Sequence, residues 1–455
     1  MNDFSKKAIR HLELAIKSQP DHLPSVVALC QFNFEQKKLA KVQSIITKAL
    51  REFDANATVY FWEAKLKHTQ GNLIEAAASI EKAIALDPNQ YDYHFLALDI
   101  HLQFGNNTNA IESLERLIDL CPVNGEIHLR LAKLLTHPDD FHRAKLLFEI
   151  SVELLPKKIP PLLSLASFLY RGAQSSPDGT VIEIPDLTGS RKYLHKVLDL
   201  DADCPEAHYQ MAKIAFDLNE FESAKNHLNF CLYESSTKAE AYFLLAEIDL
   251  LGDEKGSAIT HFQKAVELGA QKAKAYFYLS EIYLNQEDFS KAKYCCEKSI
   301  ELFQEEIAID SKSAKSLMGQ SNFYEARNVA ESIDAKKKAL SKVHLNLYKS
   351  ESLGKTNGKY SSILLQALTH NSQEAEAHHE VGLLAIEKGD KIKARKHFLK
   401  ALDTNWHLCK THKELGILEL ESNDQEKAKL HLSIALDLNP EEKSILKLLS
   451  KIQGL

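Results

Sequence analysis

The stretch Gly71-Asn-Leu-Ile-Glu-Ala-Ala-Ala-Ser-Ile-Glu-Lys-Ala-Ile-Ala-Leu-Asp-Pro88 decides the fold of this chain. Read as a helix, it places Ala76, Ile80, Ala83 and Leu86 on one stripe, at spacings of four, three and three residues. Gly71 marks the turn before the helix, and Pro88 stops the helix after its last turn. Because two residues of the apolar stripe are small, we expect a second helix to approach this one closely.

The same pattern returns at a fixed interval along the chain. With Ala83 as the marker, the equivalent positions recur with a period of about 34 residues, apart from one longer step between Ser151 and Val197. They are Ala15, Ala49, Ala83, Leu117, Ser151, Val197, Cys231, Ala265, Ser299, Ile333, Ala367, Ala401 and Ala435. In most copies a second small residue lies seven positions earlier, as Ala76 does. A fixed period with this punctuation predicts stacked helix-turn-helix units.

With this period, the chain resembles the tetratricopeptide repeat (TPR) family over essentially its whole length. The first helix of each repeat supports the resemblance through a large residue followed by a small one. Examples are the pairs Leu245/Ala246, Val381/Gly382 and Leu415/Gly416. The family's tryptophan in this helix is usually His or Tyr here. The resemblance implies an all-α fold, a right-handed superhelical TPR solenoid (α-α superhelix) of about 12 helix-turn-helix repeats with terminal caps.

The repeat register predicts the domain organisation. We expect an N-terminal capping helix or partial repeat at 1–22, a regular TPR array at 23–306 with a loop insertion at 171–189, degenerate TPR repeats with a candidate hinge at 307–374, C-terminal TPR repeats at 375–442, and a C-terminal capping helix at 443–455. The interval 307–340 is degenerate because Asp310, Ser313 and Ala330 replace large apolar residues. Each methylene missing from a core contact costs about 0.8 kcal/mol, so this joint is expected to be the weakest.

Composition favours an ordinary globular protein. Of the 455 residues, 44% are hydrophobic and 26% charged, and the net charge of −7 gives no electrostatic footprint for nucleic acid. No signal peptide and no apolar run long enough to span a bilayer is evident, so we expect no membrane insertion. The seven cysteines are scattered, and several occupy core positions of the repeat, which argues for a reducing compartment. These features predict a cytoplasmic protein.

The sequence contains no catalytic motif. There is no P-loop, no Gly-x-Gly-x-x-Gly after a strand, no His-Glu-x-x-His and no Cys-x-x-Cys pair. His378 and His379 are adjacent, so a helix points them in different directions. Cys295 and Cys296 lie in mid-helix, where packing explains at least Cys296. We therefore predict that the protein is not an enzyme and has no cofactor and no metal.

In the resembled family, the first helices line a concave groove, which positions 2, 5, 9 and 12 of each repeat face. Position 5 is aromatic or leucine through seven consecutive repeats here, with carboxylates and lysines between. The candidate groove residues are Phe61, Lys65, Phe95, Asp99, Lys133, Tyr209, Lys213, Phe216, Phe243, Glu247, Phe277 and Glu281. An aromatic stripe edged by carboxylates suits an extended or helical protein segment with apolar anchors and some basic residues.

The predicted function is a non-catalytic protein–protein interaction scaffold or adaptor that binds a partner segment in the concave groove. A chaperone-tail receptor is disfavoured, because no three successive repeats carry the family's carboxylate-clamp residues. One alternative is a structural subunit of a multiprotein assembly that docks by its convex ridge or by the 171–189 loop. A helical-repeat RNA-binding protein is a third, less favoured alternative, because the groove positions are mostly acidic or aromatic. The oligomeric state stays open.

Overall fold

The computed structural model describes residues 3–19, 22–53, 55–172, 184–233, 236–319, 323–354 and 360–453. Within these ranges every regular element is a helix. The chain divides into two compact units, Met1–Gln210 and Met211–Leu455. The all-α fold class expected from the repeat is confirmed.

The first unit is built from consecutive helix-turn-helix pairs. Its helices are α1 (Asp3–Ser18), α2 (Leu23–Glu35), α3 (Leu39–Glu52), α4 (Ala57–Thr69), α5 (Leu73–Leu86), α6 (Tyr91–Phe104), α7 (Asn107–Leu120), α8 (Gly125–Leu134), α9 (Phe141–Leu154), α10 (Ile159–Arg171) and α11 (Leu187–Leu200). Residues Pro138–Asp140 form a 3-10 turn before α9. The two helices of each repeat pack together, and most second helices also pack on the first helix of the next repeat.

Burial confirms the repeat register in this unit. Ala76, Ile80 and Ala83 lie fully buried on α5, whereas Leu86, the last residue of the predicted stripe, is 47% exposed at the end of the helix. The marker positions Leu117 and Val197 are fully buried as well. Ala15, on the terminal helix α1, is only half-buried. Small residues therefore lie where helices of neighbouring repeats meet, as expected.

The turn between the helices of a repeat has a recurring backbone conformation. Gly71 and Gly105, one period apart, have φ values of 81° and 76°. Lys37, one period earlier, adopts φ 55° without being glycine. Because the left-handed region disfavours a Cβ atom, glycine is the residue that such turns accept without strain.

The predicted loop insertion at 171–189 falls mostly outside the described residues, which omit 173–183. On its two sides, α10 ends at Arg171 and α11 begins at Leu187. The carboxylate of Asp186 caps α11 by accepting a hydrogen bond from the Gly189 amide at 2.7 Å. The function of the insertion stays a prediction.

Helix α12 (Pro205–Asp217) contains the division between the two units. The helices that follow it are α13 (Phe221–Cys231), α14 (Lys238–Leu251), α15 (Lys255–Leu268), α16 (Lys272–Asn285), α17 (Phe289–Gly319), α18 (Phe323–Leu353), α19 (Tyr360–His370), α20 (Ala375–Glu387), α21 (Lys391–Thr404), α22 (Cys409–Glu421), α23 (Gln425–Leu438) and α24 (Lys443–Gln453). The markers Ala265, Ala367, Ala401 and Ala435 are fully buried, so the register holds here as well.

The interval 307–340 differs from a stacked repeat. Helices α17 and α18, of 31 residues each, run through both expected repeat boundaries. Lys225 pairs with Asp249 of the next repeat at 2.9 Å. The equivalent pair, Lys293 with Glu351, also spans 2.9 Å, but its two members lie one full repeat period farther apart in the sequence. The repeat that starts at 341 therefore packs directly on the repeat that ends at 306, as the next repeat of the stack would.

We call the described residues of 304–339 the hairpin arm. Phe303 and Leu340, at its base, are 5% and 0% exposed, whereas Ile309 and Met318 farther out are 66% and 61% exposed. Across the two arm helices, Lys336 forms ion pairs with Asp310 at 2.9 Å and with Glu306 at 3.1 Å. Whether the region acts as a hinge stays a prediction.

Candidate functional site

A depression of about 400 Å³ lies on the first helices α2, α4 and α6 of the first unit. Its lining residues are Gln31, Phe34, Glu35, Phe61, Trp62, Lys65, Asp92, Phe95, Leu96 and Asp99. We call it the unit 1 pocket. It brings together four residues that were predicted from the sequence, Phe61, Lys65, Phe95 and Asp99.

Aromatic rings form one side of the unit 1 pocket. The ammonium of Lys65 lies 5.2 Å, 5.8 Å and 4.9 Å from the ring centroids of Phe34, Phe61 and Trp62. Phe61 also stacks on Tyr93, with 5.0 Å between the centroids. Since the negative ring faces attract a cation, Lys65 is held against the aromatic side of the pocket. Its aliphatic stem adds to the apolar surface.

Carboxylates edge the same pocket. Glu35 accepts a hydrogen bond from Gln31 at 3.1 Å. In the part of the chain that the structure describes, no ion pair joins Asp92 or Asp99 to a cation. Three carboxylates and one lysine give the lining a formal charge of −2. An aromatic surface with this charge is complementary to a segment that carries apolar and basic side chains.

Four other predicted residues do not line this pocket. Lys133 is exposed on α8, one repeat farther along. Tyr209, Lys213 and Phe216 all lie on α12 and are half-buried. Phe216 makes an edge contact with Phe221, at 6.0 Å between ring centroids.

In the second unit, the predicted groove residue Phe243 lies in the core and not on the surface. Its side chain is 2% exposed and packs edge-on against Phe262, with 5.5 Å between the ring centroids. The Lys274 ammonium covers its face at 5.0 Å. Glu247 accepts hydrogen bonds from Lys274 at 2.9 Å and from the Tyr278 hydroxyl at 3.2 Å. Phe243 is therefore a core residue beneath Lys274 and is not available to a partner. The carboxylate of Glu247 is already hydrogen-bonded by Lys274 and Tyr278 of the same unit.

Phe277 and Glu281 lie on the next first helix, α16, and both are half-buried. Burial raises the pKa of the Glu281 carboxyl above its ordinary value, while the nearby Lys342 and a hydrogen bond from Asn346 pull it down. The effect of burial on this pKa therefore exceeds that of the cations and hydrogen bond beside it.

Sequence reasoning missed several residues of these surfaces. Trp62 and Tyr278 both occupy position 6 of their repeats, beside the position 5 phenylalanine. Position 6 of the repeats between them is not aromatic, so it gave no signal: it is Leu96, Arg130, Ser164, Gln210 and Leu244. Phe34 comes from the end of α2 and meets Lys65 only because successive first helices lie side by side. Lys274 was recognisable only as a position 2 residue.

Metal-ligating and nucleophilic side chains do not gather into a second kind of site in the ranges that the structure describes. Among these residues, no group of three or more His, Cys, Asp or Glu side chains could hold a metal ion. None of the seven cysteines forms a disulfide, and burial raises the pKa of both Cys295 and Cys296 to about 12. No described helix is both long and apolar enough to cross a membrane.

The geometry defines a class first: an α-helical repeat protein whose units stack through small residues. A family model described as tetratricopeptide repeat matches residues 61–125, and a second with the same description matches 273–306. The chain is therefore a tetratricopeptide-repeat protein. Comparison with curated proteins gives no match.

Three solved structures illustrate what the chain is similar to. The assembly chaperone of RpL4 (Acl4, residues 1–338) is 12% identical, with coverage of 55% of this chain and 95% of that chain and a TM-score of 0.44. The human IFIT1 dimer with m7Gppp-AAAA is 15% identical, with coverage of 92% and 94% and a TM-score of 0.41. Naa15/Naa10 bound to HypK-THB is 13% identical, with coverage of 99% and 68% and a TM-score of 0.39.

Membership of the family sets the general role. The TPR fold supports protein–protein interaction, and proteins built from these repeats are generally non-catalytic adaptors.

Proposed function

We propose that the chain is a non-catalytic scaffold that binds a segment of a partner protein on the first-helix surface of its first unit, centred on the unit 1 pocket. The observation that carries the proposal is the convergence of Phe61, Lys65, Phe95 and Asp99 on one depression of about 400 Å³. These residues come from two different repeats, and only the fold brings them together. Half-buried aromatic rings in a concave site are the usual anchors of protein interfaces.

A protein segment suits the pocket better than RNA does. Nucleic-acid backbones require a basic surface, whereas Glu35, Asp92 and Asp99 outnumber Lys65 in this lining. We also propose that the scaffold acts in the cytoplasm. Seven cysteines outside any disulfide, five of them buried, support a reducing compartment.

The test is affinity capture from cells of the source organism with quantitative mass spectrometry. The baits are the full chain, Lys65→Glu and Phe95→Ala. Lys82→Glu is the matched control, because Lys82 makes a similar contact with the Tyr60 ring, at 5.4 Å, on the second helix of the same repeat.

Proteins that bind the pocket should be recovered with the wild type and with Lys82→Glu, and lost with both pocket variants. Their direct binding is then measured with purified components. Equal recovery of every partner with all four baits would refute a role for the pocket and shift weight to the ridge or the 171–189 loop. Recovery of RNA in place of protein would favour the RNA alternative.

A further inference from the structure

The second unit carries a depression of its own, of about 500 Å³. It is lined by the second helices α15 and α17 and by the first helix α16. The lining residues are Gln263, Val266, Glu267, Tyr276, Leu279, Tyr283, Lys291, Tyr294 and Cys295. We call it the tyrosine groove. It shares no residue with the unit 1 pocket or with the groove residues predicted from the sequence.

The shape of the tyrosine groove comes from the repeat, but its aromatic lining does not. A depression of about 560 Å³ lies at the corresponding place on α1, α2 and α3 of the first unit. The positions there that correspond to Tyr276, Tyr283 and Tyr294 are Val26, Asn33 and Ser44. The three phenol rings are therefore particular to the groove of the second unit.

The rings extend from the core to the outer edge of the tyrosine groove. Tyr283 is 7% exposed, whereas Tyr294 is 54% exposed. Tyr276 and Tyr294 meet edge to face, with 6.4 Å between the ring centroids and 82° between the ring planes. The ammonium of Lys291 lies 5.3 Å from the centroid of the Tyr283 ring. A ligand in this groove would meet ring surface along its whole depth.

The polar groups of the lining are mostly hydrogen-bond donors. Three phenol hydroxyls, the Gln263 amide and the Lys291 ammonium can donate, whereas the carboxylate of Glu267 only accepts. Gln263 donates to the Tyr283 hydroxyl at 3.4 Å, and Lys291 pairs with Asp288 at 2.8 Å. Because an amide carries two N–H groups and an ammonium three, each keeps a further donor. The complementary ligand is apolar and offers acceptors without donors.

We propose that the tyrosine groove binds a proline-rich segment of a partner protein in the polyproline II conformation. Proline has no backbone N–H, and the polyproline II helix makes no internal hydrogen bonds, so its carbonyls are available to the donors of the groove. Its pyrrolidine rings pack on the phenol rings, as in other aromatic-lined grooves that take such segments. An α-helical ligand fits less well, because its carbonyls are bonded within the helix.

The probe is an array of proline-rich peptides of about ten residues, each paired with a version in which alanine replaces proline. The full chain is tested as wild type, as Tyr294→Ala and as Tyr294→Phe, which removes only the hydroxyl. Tyr233→Ala is the matched control, because Tyr233 is 83% exposed and lies outside the groove. Gln263→Ala, at an exposed position, covers the case in which Tyr294→Ala fails to fold.

The wild type and Tyr233→Ala should retain a subset of the proline-rich peptides about tenfold better than the alanine versions. Tyr294→Ala should lose that preference, and Tyr294→Phe and Gln263→Ala should weaken it. A wild type that does not distinguish proline from alanine, or a Tyr294→Ala variant as selective as the wild type, overturns the inference.

The same array separates this inference from the proposed function. Phe95→Ala, in the unit 1 pocket, should retain the proline-rich peptides as the wild type does. Loss of the preference in Phe95→Ala would contradict a separate site in the second unit. Conversely, capture of partners in cells that depends on Phe95 and Lys65 would support the proposed function whatever the array shows.

Discussion

Gly382→Ala probes the packing that the whole fold depends on. Gly382 lies on α20, in the large-then-small pair with Val381 that indicates the repeat in the sequence. A Cβ atom at this position would lie 2.4 Å from Cε1 and 2.6 Å from Cδ1 of Phe398. The Phe398 ring is fully buried on α21. The ring has little free space, so the two helices must separate or the ring must leave its rotamer.

The expected destabilisation is the difference between two effects. Overpacking a close core contact costs about 1–3 kcal/mol, and contacts this short belong at the upper end. Alanine gains about 1 kcal/mol over glycine in a helix interior, which leaves a net loss of about 2 kcal/mol. Gly256→Ala, on α15, is the matched control, because a Cβ atom added there would have nothing within 4 Å. That variant should be neutral or more stable, by up to about 1 kcal/mol.

Hydrogen exchange measured by mass spectrometry on the full chain resolves this effect. A solenoid opens locally, so one global free energy of unfolding would average the change away. Amides of 375–404 should exchange about 30-fold faster in Gly382→Ala, with peptides of the first unit unchanged. Phe398→Leu in the same chain should restore part of the protection. Exchange in Gly382→Ala as slow as in the wild type would refute the packing described here.

Three further predictions concern stability. His378 and His397, whose Nδ1 atoms are 2.9 Å apart, have pKa values lowered chiefly by burial, that of His397 to about 4. The contribution of these two histidines to stability is therefore fully present above about pH 6.5 and is lost as the pH falls toward 4. His397→Gln should flatten this pH dependence in thermal melts at several pH values. Asp249→Ala, which removes a carboxylate 2% exposed and paired with Lys225, should cost about 2 kcal/mol; unchanged exchange in α13–α15 would contradict it. Replacing 307–337 by a short turn should reduce helical circular dichroism yet leave the exchange of α16 and α19 unchanged, because the arm lies outside the stack.

Much of the fold could be predicted from the sequence because the spacing of small and large residues within each repeat indicates where its helices touch. Wherever Ala, Gly or Ser recurs at the repeat spacing, a neighbouring helix must approach, and the buried Ala83 and Ala265 show that it does. The interval 307–340 kept enough of the period to be counted as a repeat. Asp310 stands there in place of a large apolar residue, so this position has no apolar side chain to bury against a neighbouring repeat. Asp310 instead pairs with Lys336 across the hairpin arm at 2.9 Å.

The candidate site was predictable only in outline. Position rules placed Phe61, Lys65, Phe95 and Asp99 on the first helices, but they treated Phe243 in the same way. Burial separates the two cases. Phe243 is 2% exposed and covered by Lys274, whereas Phe61 and Phe95 are half-buried in the lining of the unit 1 pocket.

The sequence by itself determined that the chain is a series of stacked helix-turn-helix repeats. Its periodic small and large residues indicate contacts between helices that are adjacent along the chain. The tertiary structure alone decided which side chains reach the surface and which charges lack a partner. Those outcomes depend on contacts between residues of different helices, such as Glu247 with Lys274 and Lys293 with Glu351, whose distances no local pattern fixes.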